Sequence, residues 1–185
     1  MTLLRERDHS STRIGCNIRQ MTDLALVRIP MILATLGWAA GEALMRRSAA
    51  ADRLARAIWT IGIALALVHV ALAFQVVYAW DHEAAVVATA QQAAARFGWG
   101  WRGSIYFNYV FLAIWLADTA WWWIAPRSHA ARPVVFELSR LAIFVFMFFN
   151  GAVIFASGIG RLAGIVSIGV ALLAAAARRP RMVIA

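Results

Sequence analysis

The stretch YFNYVFLAIWLADTAWWWIAP, residues 106–126, is long enough to cross a membrane and carries one acidic residue, Asp118. Spanning the hydrocarbon core of a bilayer takes about 20 mostly apolar residues in an α-helix. A helix satisfies its own backbone hydrogen bonds, so it can cross lipid where a loop or an open strand edge cannot. The stretch therefore predicts a transmembrane helix, and it places a carboxyl group inside the membrane.

The composition of the whole chain agrees with this prediction. Of the 185 residues, 63% are hydrophobic and only 15% are charged, and the mean hydropathy is +0.70. A soluble globular protein is far less apolar. The formal net charge of +9 could indicate a nucleic-acid-binding protein. Most arginines, however, lie in short segments beside apolar runs, which is typical of cytoplasmic loops of membrane proteins. We therefore expect no nucleic-acid binding.

Several further segments are apolar enough to span the membrane, and together they predict an all-α bundle of five transmembrane helices. The predicted spans are residues 27–45, 57–80, 104–125, 134–156 and 160–177. The polar residues 1–26 predict a disordered N-terminal tail, which leaves residues 27–185 as a single transmembrane domain. Two questions stay open at the N-terminus. Translation starts at Met1 or at Met21, and the first apolar segment is either a span or the core of a cleaved signal peptide.

The longest connection between spans, residues 81–103, predicts an additional helix. Asp81 is a suitable N-cap for a helix over residues 82–97, and Gly98 is suited to its end. The apolar residues of this helix share one face at helical spacing: Val86, Val87, Ala90, Ala93, Ala94 and Phe97. An amphipathic helix of this kind lies in the membrane interface or caps a bundle. We expect it on the outer face.

The positions of the arginines predict the orientation, because positively charged loops remain in the cytoplasm. With five spans, the arginines of the first and third connections and of the C-terminal tail lie on one face: Arg46, Arg47, Arg53, Arg56, Arg127, Arg132, Arg178, Arg179 and Arg181. We therefore expect a multi-pass protein of the inner membrane, with the N-terminus outside and the C-terminus in the cytoplasm.

Asp118 and Arg140 are predicted to form an ion pair inside the membrane. At helical rise, Asp118 lies about 12 Å and Arg140 about 10 Å from the cytoplasmic ends of their helices. A lone charge in lipid is costly, so opposite charges at matching depth on neighbouring helices favour a contact. Glu42 and Glu137 lie closer to the same end and are competing partners for Arg140. A structural ion pair and a proton or ion pathway are the two interpretations.

A second group of polar residues lies nearer to the outer face. Gln75, Asn108 and Asn150 lie about 25 to 29 Å from the cytoplasmic side, and His69 is deep in the second span. One interpretation is interhelical hydrogen bonding that stabilises packing. The other is a polar pocket, open to the outside, for a substrate or a quinone. A b-type haem would need a second histidine at the depth of His69, so we predict no cofactor and keep haem b or a quinone as alternatives.

The last predicted span begins with a G-x-x-x-G pattern at Gly160 and Gly164, which indicates close packing against another helix. Ligand-type side chains occur at Asp81, His82 and Glu83, but adjacent residues on a helix point in different directions. No metal site is predicted from them. No arrangement of nucleophile and base indicates a catalytic residue either.

A series of short motifs resembles a group of uncharacterised bacterial polytopic membrane proteins. In order, the motifs are H-x-x-x-A-F, D-H, Y-F-N-Y, W-L-A-D, W-W-W and F-M-F-F-N-G, between His69 and Gly151. That group has no known activity, so the resemblance implies no functional residue.

These features predict a small non-catalytic integral membrane protein that serves as an accessory or structural subunit of a larger membrane complex. Its partners would be the lipid bilayer, other membrane subunits or further copies of itself. Two alternatives stay open. One is a redox subunit that handles a quinone or haem through His69, and the other is a small transporter or proton carrier that uses Asp118 and Arg140.

Overall fold

The structure, a computed structural model, describes the backbone of residues 3–178 and the side chains of residues 24–178. Within this part of the chain all regular structure is helical. The elements are α1 (Leu3–Leu44), α2 (Ala49–Val76), α3 (His82–Phe97), α4 (Ser104–Ile124), α5 (Pro126–Ala130), α6 (Val134–Phe148), a π-helical segment (Phe149–Ile154) that continues α6, and α7 (Gly158–Ala177).

Four helical segments are long and apolar enough to cross a membrane: Leu24–Leu44, Ala49–Val76, Val134–Ile154 and Gly158–Ala177. Large apolar side chains point away from the bundle, for example Ile61 at 59% and Leu173 at 74% exposure. A soluble protein rarely exposes so much contiguous apolar surface, whereas lipid tails cover it readily. The fold is that of a membrane-embedded helical protein.

Two helices have different starting points from those that hydropathy indicates. The segment α1 is helical from Leu3, where we expected an irregular tail, and it contains Pro30. The segment α2 starts at Ala49 instead of residue 57, because Ser48 caps it by accepting a hydrogen bond from the backbone N–H of Ala51 at 3.1 Å. Its first two turns are charged and lie at the end of the bundle, so hydropathy alone does not include them.

The helix α3 has the bounds that its capping residues predict. The carboxylate of Asp81 accepts from the backbone N–H of Ala84 at 3.1 Å, and Gly98 ends the helix with a φ of 77°. Ala85 and Val86 of α3 are buried against Ile105 at the start of α4. This contact holds α3 against the end of the bundle where α4 begins.

Aromatic side chains fill the centre of the bundle. Tryptophans and phenylalanines from α1, α2, α4 and α6 are nearly fully buried: Trp38, Trp59, Phe111, Trp115, Trp122, Phe144 and Phe148. The rings of Trp38 and Phe148 stack with centroids 4.7 Å apart, and those of Trp59 and Phe144 are 5.1 Å apart. Ring pairs at such distances contribute beyond the area that they bury.

The G-x-x-x-G pattern lies where α7 packs against two other elements. A Cβ added at Gly164 would lie 2.7 Å from the carbonyl oxygen of Ala152, so this position has no room for a larger residue. A Cβ at Gly160 would lie 3.6 Å from the side chain of Ile32 in α1, which is an ordinary contact. The close approach is therefore at Gly164, against the π-helical segment.

Candidate functional site

Arg140 is buried at one end of the bundle and contacts two carboxylates. Its Nη1 donates to Glu42 Oε1 at 2.5 Å, and its Nη2 donates to Glu137 Oε1 at 3.3 Å. The guanidinium also lies over the ring of Trp59, 4.9 Å from the centroid, which is a favourable cation–π geometry. The second oxygen of Glu42 accepts from Arg178 at 2.5 Å. Glu42 and Glu137, which the sequence indicated as competing partners of Arg140, are thus the carboxylates that contact it.

Asp118 has other partners, and the predicted ion pair between Asp118 and Arg140 does not form in this arrangement. Asp118 Oδ1 lies 3.3 Å from His129 Nε2 and 3.8 Å from Arg132 Nη1. Both residues belong to the connection between α4 and α6, where α5 folds back against the end of α4. Asp118 Oδ2 is buried without a hydrogen-bond partner among the described residues.

His129 and Arg132 are the residues of this site that sequence reasoning missed. We assigned their connection to the cytoplasmic face as an ordinary loop, yet His129 is only 2% exposed and Arg132 6%. The His129 ring stacks on Trp122 with centroids 4.5 Å apart. A usable signal was Pro126, since proline is favoured in the first turn of a helix and α5 begins there.

His129 is held as a neutral imidazole. Burial lowers the pKa of its ring below the ordinary value, and the positive charge of Arg132 lowers it further, while Asp118 opposes the shift. Arg132 Nη1 is in hydrogen-bonding contact with His129 Nε2. A guanidinium only donates, so Nε2 is the unprotonated nitrogen when this contact forms. The same nitrogen cannot then donate to Asp118.

We refer to the complete set of these side chains as the arginine–carboxylate network: Glu42, Arg46, Asp118, His129, Arg132, Glu137, Arg140 and Arg178. Glu137 contacts Arg132 at 2.5 Å and both Arg46 and Arg178 at 3.2 Å. The network joins the ends of α1, α4 and α7 to the start of α6. It combines charges of both signs in a largely buried position, which requires each charge to be paired.

The opposite end of the bundle contains a cavity of about 1000 Å³. We call it the outer cavity, after the side of the membrane on which the sequence predicts this end to lie. It is lined by residues from α1, α2, α3, α4, the end of α6, the π-helical segment and the start of α7. Most of the lining is apolar, with polar side chains that include Arg28, Thr35, His69, Thr89, Gln92, Ser104, Asn108 and Asn150. The outer cavity therefore combines a large apolar volume with a small number of polar groups.

Three of the four predicted pocket residues, His69, Asn108 and Asn150, line the outer cavity. Gln75 does not line the cavity. Its Oε1 instead accepts a hydrogen bond from Trp80 Nε1 at 2.8 Å, on the exposed side of the C-terminal end of α2. Trp80 reaches back to Gln75 because the backbone reverses here, with positive φ at Ala79 and Trp80.

The His69 ring is anchored by a backbone carbonyl. Its Nδ1 lies 2.7 Å from the carbonyl oxygen of Val27, which can only accept, so Nδ1 carries the hydrogen and donates. In the neutral ring Nε2 is then an acceptor. Nε2 has no hydrogen-bond partner among the described residues and is not fully enclosed, and His69 is one of the residues that line the cavity.

The described residues do not bring a second histidine to His69. His82 packs outside the outer cavity, with its ring centroid 6.2 Å from that of Tyr106 and 6.0 Å from that of Tyr109. His129 belongs to the network at the opposite end. Within residues 24–178, no group of three or more histidine, cysteine, aspartate or glutamate side chains is placed to hold a metal ion. His9 lies outside the described side chains.

The fold and the outer cavity define a class of small helical membrane protein with a partly open, mostly apolar cavity at one end. Comparisons with protein-family models, curated proteins and solved structures give no match to this chain. No substrate or partner is therefore transferred to it from another protein. Its function is inferred from the geometry of the cavity and of the network.

Proposed function

We propose that this chain is a non-catalytic integral membrane protein that binds a lipid-soluble molecule in its outer cavity. The observation that carries the proposal is the cavity of about 1000 Å³ with a mostly apolar lining, to which His69, Asn108 and Asn150 add hydrogen-bonding groups. Cavities of roughly 300–1,000 Å³ with few polar groups are typical of small-molecule sites. The apolar lining suits a hydrocarbon tail, and the polar groups suit one polar head.

The proposal includes five transmembrane helices, with α4 added to the four most apolar segments. The helix α4 has 21 residues, so it is about 31 Å long, enough to cross the hydrocarbon core. Its C-terminal end packs on the start of α2: Trp123 Nε1 donates to Thr60 Oγ1 at 2.9 Å, and Arg56 donates to the Trp122 carbonyl at 3.3 Å. Its N-terminal end packs beside Phe74, near the end of α2. An antiparallel pair of this extent supports a full crossing.

We further propose that the network end of the bundle faces the cytoplasm and that the outer cavity opens towards the outer leaflet of the inner membrane. Arginine-rich connections at the network end support this orientation. The helix α3 would then lie at the outer interface, above the cavity. Cysteine labelling in a Cys16→Ser background tests it: a cysteine at Ala90 should react only from outside, and one at Arg53 only from the cytoplasm. The reverse pattern would overturn the orientation.

The arginine–carboxylate network supports a structural role better than proton or ion transport. Both oxygens of Glu42 and both oxygens of Glu137 accept from arginine donors, so these two carboxylates are held in ion pairs. Among the carboxylate oxygens of the network, Asp118 Oδ2 alone has no hydrogen-bond partner among the described residues. A buried ionic network can fix the register of the helices that it joins. The network would thus hold α1, α6 and α7 in the arrangement that forms the outer cavity at the other end.

We also propose that the chain is an accessory subunit of a larger membrane complex, a role that is compatible with ligand binding. Co-purification from the membrane in mild detergent tests it directly. A stoichiometric partner that stays bound through gel filtration would support it, and a chain that elutes without any other protein would contradict it.

Two glycine substitutions provide a matched test of ligand binding. Gly151 and Gly169 both have open space around an added Cβ, but only Gly151 lines the outer cavity. Gly151→Trp should therefore fill part of the cavity, whereas Gly169→Trp should extend into lipid. We expect solvent extraction and mass analysis to recover one enriched lipid-soluble compound from the wild type and from Gly169→Trp, and much less from Gly151→Trp. Equal recovery from all three proteins, or none, would refute cavity binding.

A further inference from the structure

The polar side chains of the outer cavity share a property that bears on the ligand. Several of them already donate a hydrogen to a backbone carbonyl of the protein. His69 Nδ1 donates to Val27, Asn150 Nδ2 donates to Phe146 at 2.8 Å, and Thr89 Oγ1 donates to Ala85 at 2.8 Å. Since a carbonyl oxygen can only accept, these contacts fix which atom of each side chain is the donor.

These three side chains therefore leave acceptor atoms for a ligand. They are His69 Nε2, Asn150 Oδ1 and the lone pairs of Thr89 Oγ1, none of which accepts a hydrogen bond from a described residue. Elsewhere the lining also supplies donors, from Arg28, the amides of Gln92 and Asn108, and the second N–H of Asn150. The position that discriminates between ligands is therefore His69 Nε2, which cannot donate. An acceptor in a largely apolar cavity is satisfied only by a ligand that donates.

His69 has no acidic partner in the described part of the cavity that would stabilise a positive charge on its ring. Among the described lining residues there is no aspartate or glutamate, and the one charged group, Arg28, is itself positive. A neutral ring with Nδ1 protonated presents an unprotonated Nε2, which accepts a hydrogen bond but cannot donate one.

We infer that, at His69, the outer cavity selects a lipid-soluble molecule whose polar head carries a hydroxyl donor, over the matching molecule in which that position is a carbonyl or an ether. This inference rests on the proposed function. Two sources share the chemistry: a hydroquinone with a hydrocarbon tail, and a lipid alcohol such as a diacylglycerol. In both, a hydroxyl donates to His69 Nε2 while the tail occupies the apolar lining around Ala66 and Phe111.

Matched pairs of probes test the preference in purified protein by equilibrium binding. The first pair is decylubiquinol and decylubiquinone, and the second is dioleoylglycerol and its 3-O-methyl ether. We expect the hydroxyl form of at least one pair to bind about three- to tenfold more tightly, the range for one added hydrogen bond. Preference within the first pair identifies a hydroquinone, and preference within the second identifies a lipid alcohol.

His69→Asn is the informative variant. Asparagine can keep a donor near the position of Nδ1, for the Val27 carbonyl, while it removes the acceptor at Nε2. We expect it to bring the two members of the preferred pair within twofold of each other, as less than about 0.4 kcal/mol would separate them. Gln75→Leu, at a polar position outside the outer cavity, is the control and should keep the wild-type preference.

The outcomes separate this inference from the proposed function. If both members of each pair bind equally to the wild type, or if His69→Asn retains the full preference, the hydroxyl selectivity is wrong and cavity binding stands. A phospholipid that binds better than either hydroxyl probe would also overturn the selectivity. If no probe binds and no compound is extracted, the proposed function itself fails.

Discussion

Glu42→Gln should destabilise the bundle by about 3 kcal/mol, because it removes the negative charge that lies between two guanidinium groups. Glu42 is 1% exposed, and its two oxygens accept from Arg140 and Arg178, each at 2.5 Å. Removing one partner of a buried ion pair costs roughly 3–5 kcal/mol. The lower end of that range applies, since Arg140 keeps its contact with Glu137 at 3.3 Å and its position over an aromatic ring.

Equilibrium unfolding in mixed micelles of mild detergent and dodecyl sulfate, followed by circular dichroism, measures this loss. Glu83→Gln is the matched control: it breaks a pair with Arg102 in which the side chains are 63% and 62% exposed. Such a pair contributes less than about 1 kcal/mol. The double variant Glu42→Gln, Arg140→Gln should recover part of the loss, because neither charge is left unpaired. Losses of equal size for Glu42→Gln and Glu83→Gln would refute the structural role of the network.

Two further predictions concern packing and pH. Gly164→Ala should lower the free energy of unfolding by about 1–3 kcal/mol, because the added Cβ would meet Ala152. Gly169→Ala is the control and should not destabilise the protein, because nothing lies within 4 Å of a Cβ added there. Similar losses at both sites would contradict the close approach at Gly164. Burial lowers the pKa of His129, so the unfolded state binds more protons than the folded state as the pH falls through about 6.5. The contribution of neutral His129 to the unfolding free energy is therefore fully present above that pH and declines below it. His129→Gln should flatten the decline between about pH 7 and about pH 5, and an unchanged profile would mean that His129 does not cause it.

Local signals predicted local structure well. Asp81 and Gly98 mark the ends of α3 because a side-chain cap and a left-handed residue are needed at those positions whatever surrounds the helix. Hydropathy also located the four most apolar helices, because the ability of a segment to span the membrane depends on the length and apolar composition of that segment alone. The start of α2 at Ala49 was missed because its first turns carry charge and depend on the Ser48 cap.

The partners of Asp118 and Arg140 could not be predicted from depth. Depth along a helix follows from residue number, but the direction in which a side chain points depends on how each helix is rotated within the bundle. Arg140 faces Glu42 of α1, whereas Asp118 faces the connection that carries His129 and Arg132. That connection folds back onto α4, and no periodicity in five residues of helix reports such a contact.

The residues of the polar pocket could not be predicted fully from depth either, because depth does not give the direction in which a side chain points. His69, Asn108 and Asn150 were grouped by height, and they do line one cavity because their helices also happen to face it. Gln75 has a similar height but lies near the C-terminal end of α2, where the reversal at Ala79 and Trp80 brings Trp80 to its side chain on the exposed side. A list of residues at one height therefore contains the pocket residues together with others that face elsewhere.

An experimental map of the protein in a lipid nanodisc tests the central claim most directly. Binding in the outer cavity predicts one continuous, elongated density between α1, α4 and the π-helical segment, with one end within hydrogen-bonding distance of His69 Nε2, and its absence from the map of Gly151→Trp. A cavity closed by its own side chains, or one filled only by the acyl chains of the surrounding bilayer with no feature at His69, would contradict it.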